Sequence, residues 1–389
     1  MKKFFLLITV IVTASFALVS CSQNDNPAHR REVAAERLFK HGRVKVAITG
    51  QWSAKNGDWI LKGAELAAEK INAAGGVHGA KIELVPFDDN NKVSTGAEIA
   101  AKIAEDEQIC AVIGHYSSSV TLFNSAIYHY YGVLTLTPFS TNTMVTKQGL
   151  PYVFRNIPDN DTFAKESVIL CERKGWKRVM ALYLNNSYCR QLVDEFELHC
   201  GPHSITVPDR VGYEEVYNLS DYTELAKKWK NNQSFDAIFI AGFLPQAAEI
   251  VSLFRSEGIS QPIIGSIDFE SDVFFSVGRN KYEENFYCVS NFDINSTNAA
   301  FVEFKKSFNE KYGFDPNWEA TESYDAVKVL AKAIQNAGSV KAKRVAAALK
   351  SKTEWDEGAG PYRFNANGEI EKALLIKKSN GGEFKTVAE

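Results

Sequence analysis

The chain has 389 residues, of which 45% are apolar, and a formal net charge of −3. A nearly neutral chain has no electrostatic footprint for nucleic acid, which excludes that class of partner. The length and the apolar content are sufficient for two domains with cores of ordinary size.

The first 21 residues read as an export signal rather than as part of the fold. Lys2 and Lys3 precede an apolar run, Phe4 to Val19, which is shorter than the ~20 residues that span a bilayer. The run ends at Ser20 and Cys21, a pattern that resembles a bacterial lipoprotein cleavage site with Cys21 as the lipidated residue. A plain secretory signal with a coincidental cysteine is the alternative.

Residues 22–42 are polar and charged and show no strand pattern, so we expect a tether that holds the folded part off a membrane. No later apolar segment is long enough to span a bilayer, so the lipid on Cys21 would be the only anchor. The predicted location is the cell envelope, as a membrane-anchored lipoprotein that faces the periplasm or the exterior.

Strands and helices alternate from residue 43 onwards. Strands separated by helices of this length imply parallel pairing with right-handed crossovers, and therefore an α/β fold. Apolar periodicity predicts strands at 44–48, 81–86, 111–113, 133–137, 179–184, 237–241, 262–266 and 286–289. It predicts helices at 62–74, 94–106, 119–130, 163–173, 190–200, 222–231, 246–257, 298–312, 319–337 and 340–351.

Residues 62–91 carry the most specific pattern of the chain: a helix, a stop at Gly75 and Gly76, an alternating strand and an acidic turn. The run INAAGGVHGAKIELVPFDDNN within it resembles the signature of the branched-chain amino-acid-binding family, the type I periplasmic solute-binding proteins of ABC importers. The segments 318–334 and 360–368 also resemble this family. The resemblance covers nearly everything from residue 44 to about residue 378.

The resemblance implies two doubly wound parallel-sheet α/β domains joined by a three-segment hinge, the type I periplasmic binding protein fold. The three crossings would lie near Ile157, Tyr287 and Lys372. The predicted lobes are 43–157 plus 288–372 for the N-terminal lobe and 158–287 plus 373–389 for the C-terminal lobe.

Two predicted loops follow neighbouring strands, at 114–119 and 138–141. Ligands of open parallel sheets bind beyond the carboxyl ends of the strands, where helix N–H groups and small hydroxyls make an anion site. The resemblance implies that Ser118 and Thr141 hold the α-carboxylate of an amino acid, with backbone groups near Phe139 alongside. Helix capping is the alternative role for these hydroxyls, and both roles can coexist.

From the second lobe, the resemblance implies that Tyr188 lays its ring against an ammonium group and that Phe243 forms part of the pocket wall. Plain packing is the alternative for each ring. The family's ammonium-binding acid falls at Ile267, with Asp268 next to it. Either the loop is shifted and Asp268 serves, or the pocket lacks this counter-ion and favours an uncharged or purely anionic ligand.

Other candidate chemistry is weaker. Five cysteines follow Cys21, so at least one thiol has no partner within the chain, and the family's disulfide positions are Asn91 and Ser117 here. The run 199–203, with two histidines and a cysteine, lacks paired metal-ligand spacings and reads as a helix end and a turn. No nucleophile elbow or P-loop supports catalysis, so we expect neither an enzyme nor a bound metal or cofactor.

The predicted function is a solute-binding lipoprotein, monomeric, that captures an amino acid or a related carboxylate or amide for an ABC permease. Ligand binding would close the two lobes. The alternative is a ligand-sensing receptor subunit of the same fold that signals to a membrane partner. Both share the same binding chemistry, so the sequence does not separate them.

Overall fold

A computed structural model describes residues 26–51, 57–216, 218–232, 234–278, 284–351 and 354–387. The predicted signal peptide and Cys21 lie outside these residues. Within the described ranges, no helix combines the length and the apolar character needed to cross a bilayer.

Helices and strands alternate along most of the chain, as the periodicity predicts. The helices are α1 Pro27–Lys40, α2 Gly57–Ala73, α3 Val93–Glu105, α4 Ser118–Tyr130, α5 Met144–Lys147, α6 Asn160–Lys174, α7 Ser187–Cys200, α8 Leu219–Asn232, α9 Gln246–Ser256, α10 Asp272–Gly278, α11 Ala299–Tyr312, α12 Trp318–Ala337 and α13 Ala342–Ser351. The strands are β1 Arg43–Gly50, β2 Lys81–Asp88, β3 Ile109–Ile113, β4 Leu134–Thr137, β5 Val153–Arg155, β6 Val179–Leu184, β7 Arg210–Tyr213, β8 Ala237–Ala241, β9 Ile263–Gly265, β10 Phe286–Ser290, β11 Arg363–Phe364, β12 Ile370–Glu371, β13 Leu375–Asn380 and β14 Glu383–Thr386.

Two sheets organise the molecule. The first is wholly parallel, in the order β2-β1-β3-β4-β5. The second has the order β14-β13-β10-β9-β8-β6-β7; it is parallel from β10 to β7, and the hairpin β13–β14 adds antiparallel strands at one edge. The predicted α/β fold with two parallel-sheet domains is confirmed. We call the elements around the first sheet the first lobe and those around the second sheet the second lobe.

The central strands are buried on both faces because helices cover each sheet on both sides. Every residue of β3 and β8 is buried, which matches their continuous apolar sequences ICAVI and AIFIA. Apolar residues at consecutive positions, rather than at alternate ones, are typical of a parallel strand inside an α/β domain.

The chain crosses between the sheets after β5, after β10 and after β12. The second crossing differs from the sequence prediction, which placed it near Tyr287. Strand β10 continues to Ser290, and its residues pair with β9 and with β13 inside the second sheet. The crossing therefore begins after Ser290, because the backbone up to that residue is held in a ladder.

Residues 27–40 correct the prediction of a tether over 22–42, because they form helix α1. The side chain of Asn26 caps the helix by accepting a hydrogen bond from the Ala28 N–H at 2.9 Å, and Pro27 follows at the first helical position. Arg31 is 1% exposed, and its guanidinium donates to five backbone carbonyls, those of Ile103, Ala104, Asp106, Ile109 and Tyr131. The buried Arg31 side chain thus fixes this helix to the first lobe.

Helix α12 lies deep in the molecule although it follows the second crossing. Fifteen of its 20 residues are buried. It packs on α2 with its backbone very close, since a Cβ added to Gly63 would lie 2.1 Å from the Ala320 carbonyl oxygen. This contact ties α12 to the first lobe and presents its N-terminal end towards the loops that follow β3 and β4.

Candidate ligand-binding site

The serine-containing loop starts where β3 ends and leads directly into α4. Gly114 has a φ of 131°, and a Cβ at this position would lie 2.1 Å from the Thr49 hydroxyl, so only glycine fits the turn. Helix α4 begins at Ser118, which is 4% exposed. The free N–H groups of the first turn of α4 therefore point at the end of the loop, as an anion site requires.

The hydroxyls of Ser118 and Thr141 are buried but are not used by the backbone of α4. The Ser118 Oγ accepts a long hydrogen bond, 3.4 Å, from the N–H of Asn142. Thr141 is 3% exposed, and its Oγ1 has no hydrogen-bond partner within the described residues. The capping role that was the alternative for these side chains is not what they do here, and a buried hydroxyl without a partner is costly unless a ligand completes it.

A buried histidine fixes the position of the loop, and the sequence analysis missed it. The carbonyl oxygen of His115 accepts hydrogen bonds from the hydroxyls of Ser140 at 2.9 Å and of Thr137 at 3.1 Å. Its ring nitrogens contact the Asp89 carboxylate at 2.6 Å and the Tyr128 hydroxyl at 2.8 Å. His115 thereby joins the acidic turn after β2, helix α4 and the loop after β4.

The second lobe contributes Tyr188, Phe243 and Asp268, which contact one another. The rings of Tyr188 and Phe243 are stacked with centroids 5.6 Å apart. The Asp268 carboxylate accepts hydrogen bonds from the hydroxyl of Tyr188 and, at 2.7 Å, from that of Ser266. Burial raises the pKa of Asp268, and these two hydrogen bonds act in the opposite direction.

Ile267 occupies the position of the family's ammonium-binding acid, and Asp268 is the acid next to it. Ile267 is 2% exposed and packs in the hydrophobic core of the second lobe. The short turn Ile267–Phe269 turns Asp268 the other way, against Tyr188. The geometry therefore provides a carboxylate one residue beyond the expected place.

Side chains from the two lobes meet directly beside these residues. The amide of Asn142 donates to the Ser187 carbonyl at 3.1 Å. The backbone N–H of Asn160 donates to the Thr141 carbonyl at 2.7 Å, and the Asn160 side chain donates to the Tyr188 carbonyl at 3.1 Å. The structure thus brings the predicted side chains of both lobes to one cleft.

Three residues of the first lobe complete the cleft, and the sequence analysis did not assign them. The Tyr116 ring lies 5.4 Å from Phe139 and 6.5 Å from Trp318, measured between centroids. Glu319 follows at the start of α12 and is 8% exposed. Burial raises the pKa of Tyr116, and the charges of Glu319 and Asp268 raise it further, which places this ring near acids from both lobes.

The cysteines and the two histidines of the run 199–203 are the other candidates in the sequence for disulfide or metal chemistry. The thiols of Cys110, Cys171, Cys189, Cys200 and Cys288 are all free and buried. His199 contacts Asp161 at 2.9 Å and His203 contacts Glu172 at 2.9 Å, so the two histidines have separate carboxylate partners. Among the described residues, no three or more His, Cys, Asp or Glu side chains are grouped as metal ligands.

A model of the periplasmic binding protein family matches residues 44–383. The chain belongs to the periplasmic binding protein family. The resemblance found in the sequence is therefore confirmed, and the two-lobed architecture is the type I periplasmic binding protein fold.

Relatives of this periplasmic binding protein are similar over most of their length. The Leu/Ile/Val-binding protein homolog 1 of Brucella suis biovar 1 is 28% identical over 330 residues, 84% of this chain and 86% of the relative. An amino acid binding protein of Pseudomonas aeruginosa is 26% identical over 337 residues, 81% of this chain and 86% of the relative. An ABC transporter substrate-binding protein from Desulfitobacterium hafniense, solved in complex with Leu, is 30% identical with a TM-score of 0.78 and covers 89% of this chain and 100% of its own.

Proposed function

We propose that this protein captures an amino acid or a related small solute outside the cytoplasm and delivers it to an ABC importer. The observation that carries the proposal is the buried Thr141 hydroxyl, which has no partner among the described residues and lies beside Ser118 at the start of α4. Two hydroxyls and the first N–H groups of a helix form a site for a carboxylate.

The opposite side of the cleft supports an amine in the same ligand. In the second lobe the Tyr188 hydroxyl donates to Asp268 and the Tyr188 ring stacks on Phe243. Asn160 links this group to Thr141, because its N–H donates to the Thr141 carbonyl and its side chain donates to the Tyr188 carbonyl. A carboxylate with an adjacent ring face is suited to an ammonium group. A ligand with both groups would contact both lobes at once and would favour the closed arrangement over an open one.

The names of the relatives support the same solute class. They are called Leu/Ile/Val-binding and amino acid binding proteins, and the similar solved protein is the substrate-binding component of an ABC transporter. The family is one of solute-binding transport proteins rather than of enzymes. Transport is thus favoured over the receptor role, because no feature of the described residues specifically supports a receptor.

A thermal-shift screen of amino acids, amides and small carboxylates tests this proposal. A ligand at a hundredfold excess over its Kd should stabilise the folded protein by about 2.7 kcal/mol. An amino acid should give the largest increase in melting temperature. A screen in which amino acids at millimolar concentration shift nothing would overturn the proposed function.

The lipid anchor on Cys21 belongs to this proposal as well. Helix α1 begins at Pro27, so only a few residues separate the lipid from the folded first lobe, and the protein would be held close to the membrane. The variant Cys21→Ala should lack the lipid mass and should leave the membrane fraction. A variant that stays in the membrane fraction with an unchanged mature mass would refute the anchor.

A further inference from the structure

A second carboxyl group, that of Glu319 in the first lobe, lies near enough to Asp268 to be affected by its charge. Glu319 is the second residue of α12 and is 8% exposed. Its carboxylate accepts a hydrogen bond from the side-chain amide of Asn317, the residue that caps the same helix. Among the described residues, no other side chain is hydrogen-bonded to Glu319.

These two acids have no basic partner in the part of the chain that the structure describes. Burial, together with the charges of Asp268 and Glu270, raises the pKa of Glu319 to about 8. The side chains that hydrogen-bond Asp268, those of Tyr188 and Ser266, are neutral. Glu270 differs from both because its carboxylate forms an ion pair with Lys377.

Aromatic side chains lie beside these two acids, and the Tyr188 hydroxyl donates to Asp268. Trp318 precedes Glu319, and its ring centroid lies 6.2 Å from that of Phe139. Tyr116 is near enough to Glu319 and Asp268 for both carboxylates to raise its pKa. Ring faces attract cations, and carboxylates beside them add a full negative charge, so this lining is suited to a positively charged group.

We propose that Glu319 is the specificity-determining residue of the cleft and that it selects an amino acid whose side chain carries a positive charge. This inference rests on the proposed function, in which Ser118 and Thr141 take the α-carboxylate and Asp268 takes the α-ammonium. Glu319 is then the partner of the second cation. An aliphatic side chain in the same place would leave a buried carboxyl group next to hydrocarbon, which is unfavourable.

The proposal predicts that the Glu319 carboxyl group releases a proton when a cationic amino acid binds. In the empty cleft Glu319 holds its proton at pH 7, because its pKa is about 8. A cation beside the carboxylate lowers that pKa, so the proton passes to the solvent. The other titratable groups near Glu319 are Tyr116, Asp268 and Glu270. Asp268 would meet the α-ammonium of every amino acid, so any proton that Asp268 releases would be released with all ligands alike.

Calorimetry at pH 7 in two buffers of different ionisation enthalpy measures both affinity and proton release. The ligands are L-lysine, L-ornithine and L-leucine, and the proteins are the wild type, Glu319→Gln and Asp268→Asn. We expect the wild type to bind L-lysine or L-ornithine at least about tenfold more tightly than L-leucine and to release close to one proton more. Glu319→Gln should lose about tenfold to a hundredfold in affinity for the two cationic ligands, together with the extra proton, and should keep its affinity for L-leucine.

The Asp268→Asn variant separates this inference from the proposed function. It should weaken all three ligands alike, because all three carry the α-ammonium. Tighter binding of L-leucine than of both cationic ligands, or full affinity for L-lysine in Glu319→Gln, would overturn the role of Glu319 and leave the proposed function standing. Failure of the wild type to bind any amino acid would overturn both. Glu319→Leu adds a positive test, since it should bind L-leucine more tightly than the wild type does.

Discussion

Ser118 and Thr141 present two buried hydroxyls at the start of α4, and the backbone of that helix uses neither of them. A ligand carboxylate would accept hydrogen bonds from both and from the N–H groups of the first turn, and it would interact favourably with the positive end of the helix dipole. Such a site would hold an anion without a basic side chain.

Removing one of these hydroxyls should weaken ligand binding. Ser118→Ala deletes one charge-assisted hydrogen bond, so we expect a loss of about 1.5–3 kcal/mol, or roughly tenfold to a hundredfold in Kd for the best amino acid of the screen. Ser125→Ala is the matched control, because its hydroxyl lies two turns along the same helix and donates to the Thr121 carbonyl. Equal affinities in titration calorimetry of the two variants would contradict the carboxylate site.

Only some residues of the candidate site could be predicted from the sequence. The family resemblance implied Ser118 and Thr141, which lie in loops that follow strands of the predicted parallel sheet. Glu319 was missed because an acid in the first turn of a helix normally faces solvent and interacts with the helix dipole. Its burial depends on the second lobe and on the loop at Tyr116, which lie far away in the sequence.

Helix α1 shows how a charged sequence forms part of a core. Its polar composition predicts a tether, but one buried arginine makes five hydrogen bonds to carbonyls at the end of α3, at the start of β3 and after α4. Alternating charge along a helix does not reveal which charged residue turns inward, since this depends on which carbonyls are left unpaired elsewhere.

Arg31 should be the residue that holds α1 in place. Arg31→Met leaves several buried carbonyls without donors, so the free energy of unfolding should fall by about 3 kcal/mol or more. Arg37→Met on the exposed side of α1 should change it by less than about 0.5 kcal/mol. Urea denaturation of both variants measures the difference, and equal stabilities would show that α1 is not anchored through Arg31.

Helix α12 carries three buried carboxyl groups, which makes the stability of the fold depend on pH. Burial raises the pKa of Glu322 from 4.5 to about 7 and that of Asp325 from 3.8 to about 6, and Glu319 is shifted in the same direction. The folded protein therefore keeps protons that the unfolded chain releases. The free energy of unfolding should fall as the pH rises from about 4.5 to about 8.

The variant Glu322→Gln tests this pH dependence. It removes one titrating group, so the fall in the free energy of unfolding between about pH 5.5 and pH 8.5 should be smaller by about 1–2 kcal/mol than in the wild type. Glu303→Gln is the control, because the ion pair with Lys70 lowers the pKa of Glu303 and keeps its titration below this range. Identical pH profiles of urea denaturation for wild type and Glu322→Gln would contradict a raised pKa of the buried Glu322 carboxyl group.

At the scale of the whole molecule, the three crossings converge on Glu322. Asn156 of the first crossing donates to the Glu322 carbonyl at 3.3 Å. Asn291 of the second crossing donates to its carboxylate at 2.6 Å, and Lys372 of the third lies 3.4 Å from the same oxygen. The three crossing segments are therefore hydrogen-bonded to the same residue of α12.

The sequence predicted the α/β alternation that these crossings connect. Apolar periodicity defines the strands one by one, and the family resemblance supplies the topology. The second crossing begins after Ser290 rather than near Tyr287, because Ser290 is a polar residue that stays in the ladder through its backbone.

Small-angle X-ray scattering with and without a saturating ligand tests the central claim most directly, because it measures whether the two lobes close on a solute. The lobes are joined by three single segments, and beside the cleft Asn142 donates to the Ser187 carbonyl and the Thr143 N–H donates to Gln191 of the other lobe. Saturation with the amino acid that gives the largest thermal shift should therefore lower the radius of gyration of the wild type. Scattering curves that superimpose with and without that ligand would contradict the account.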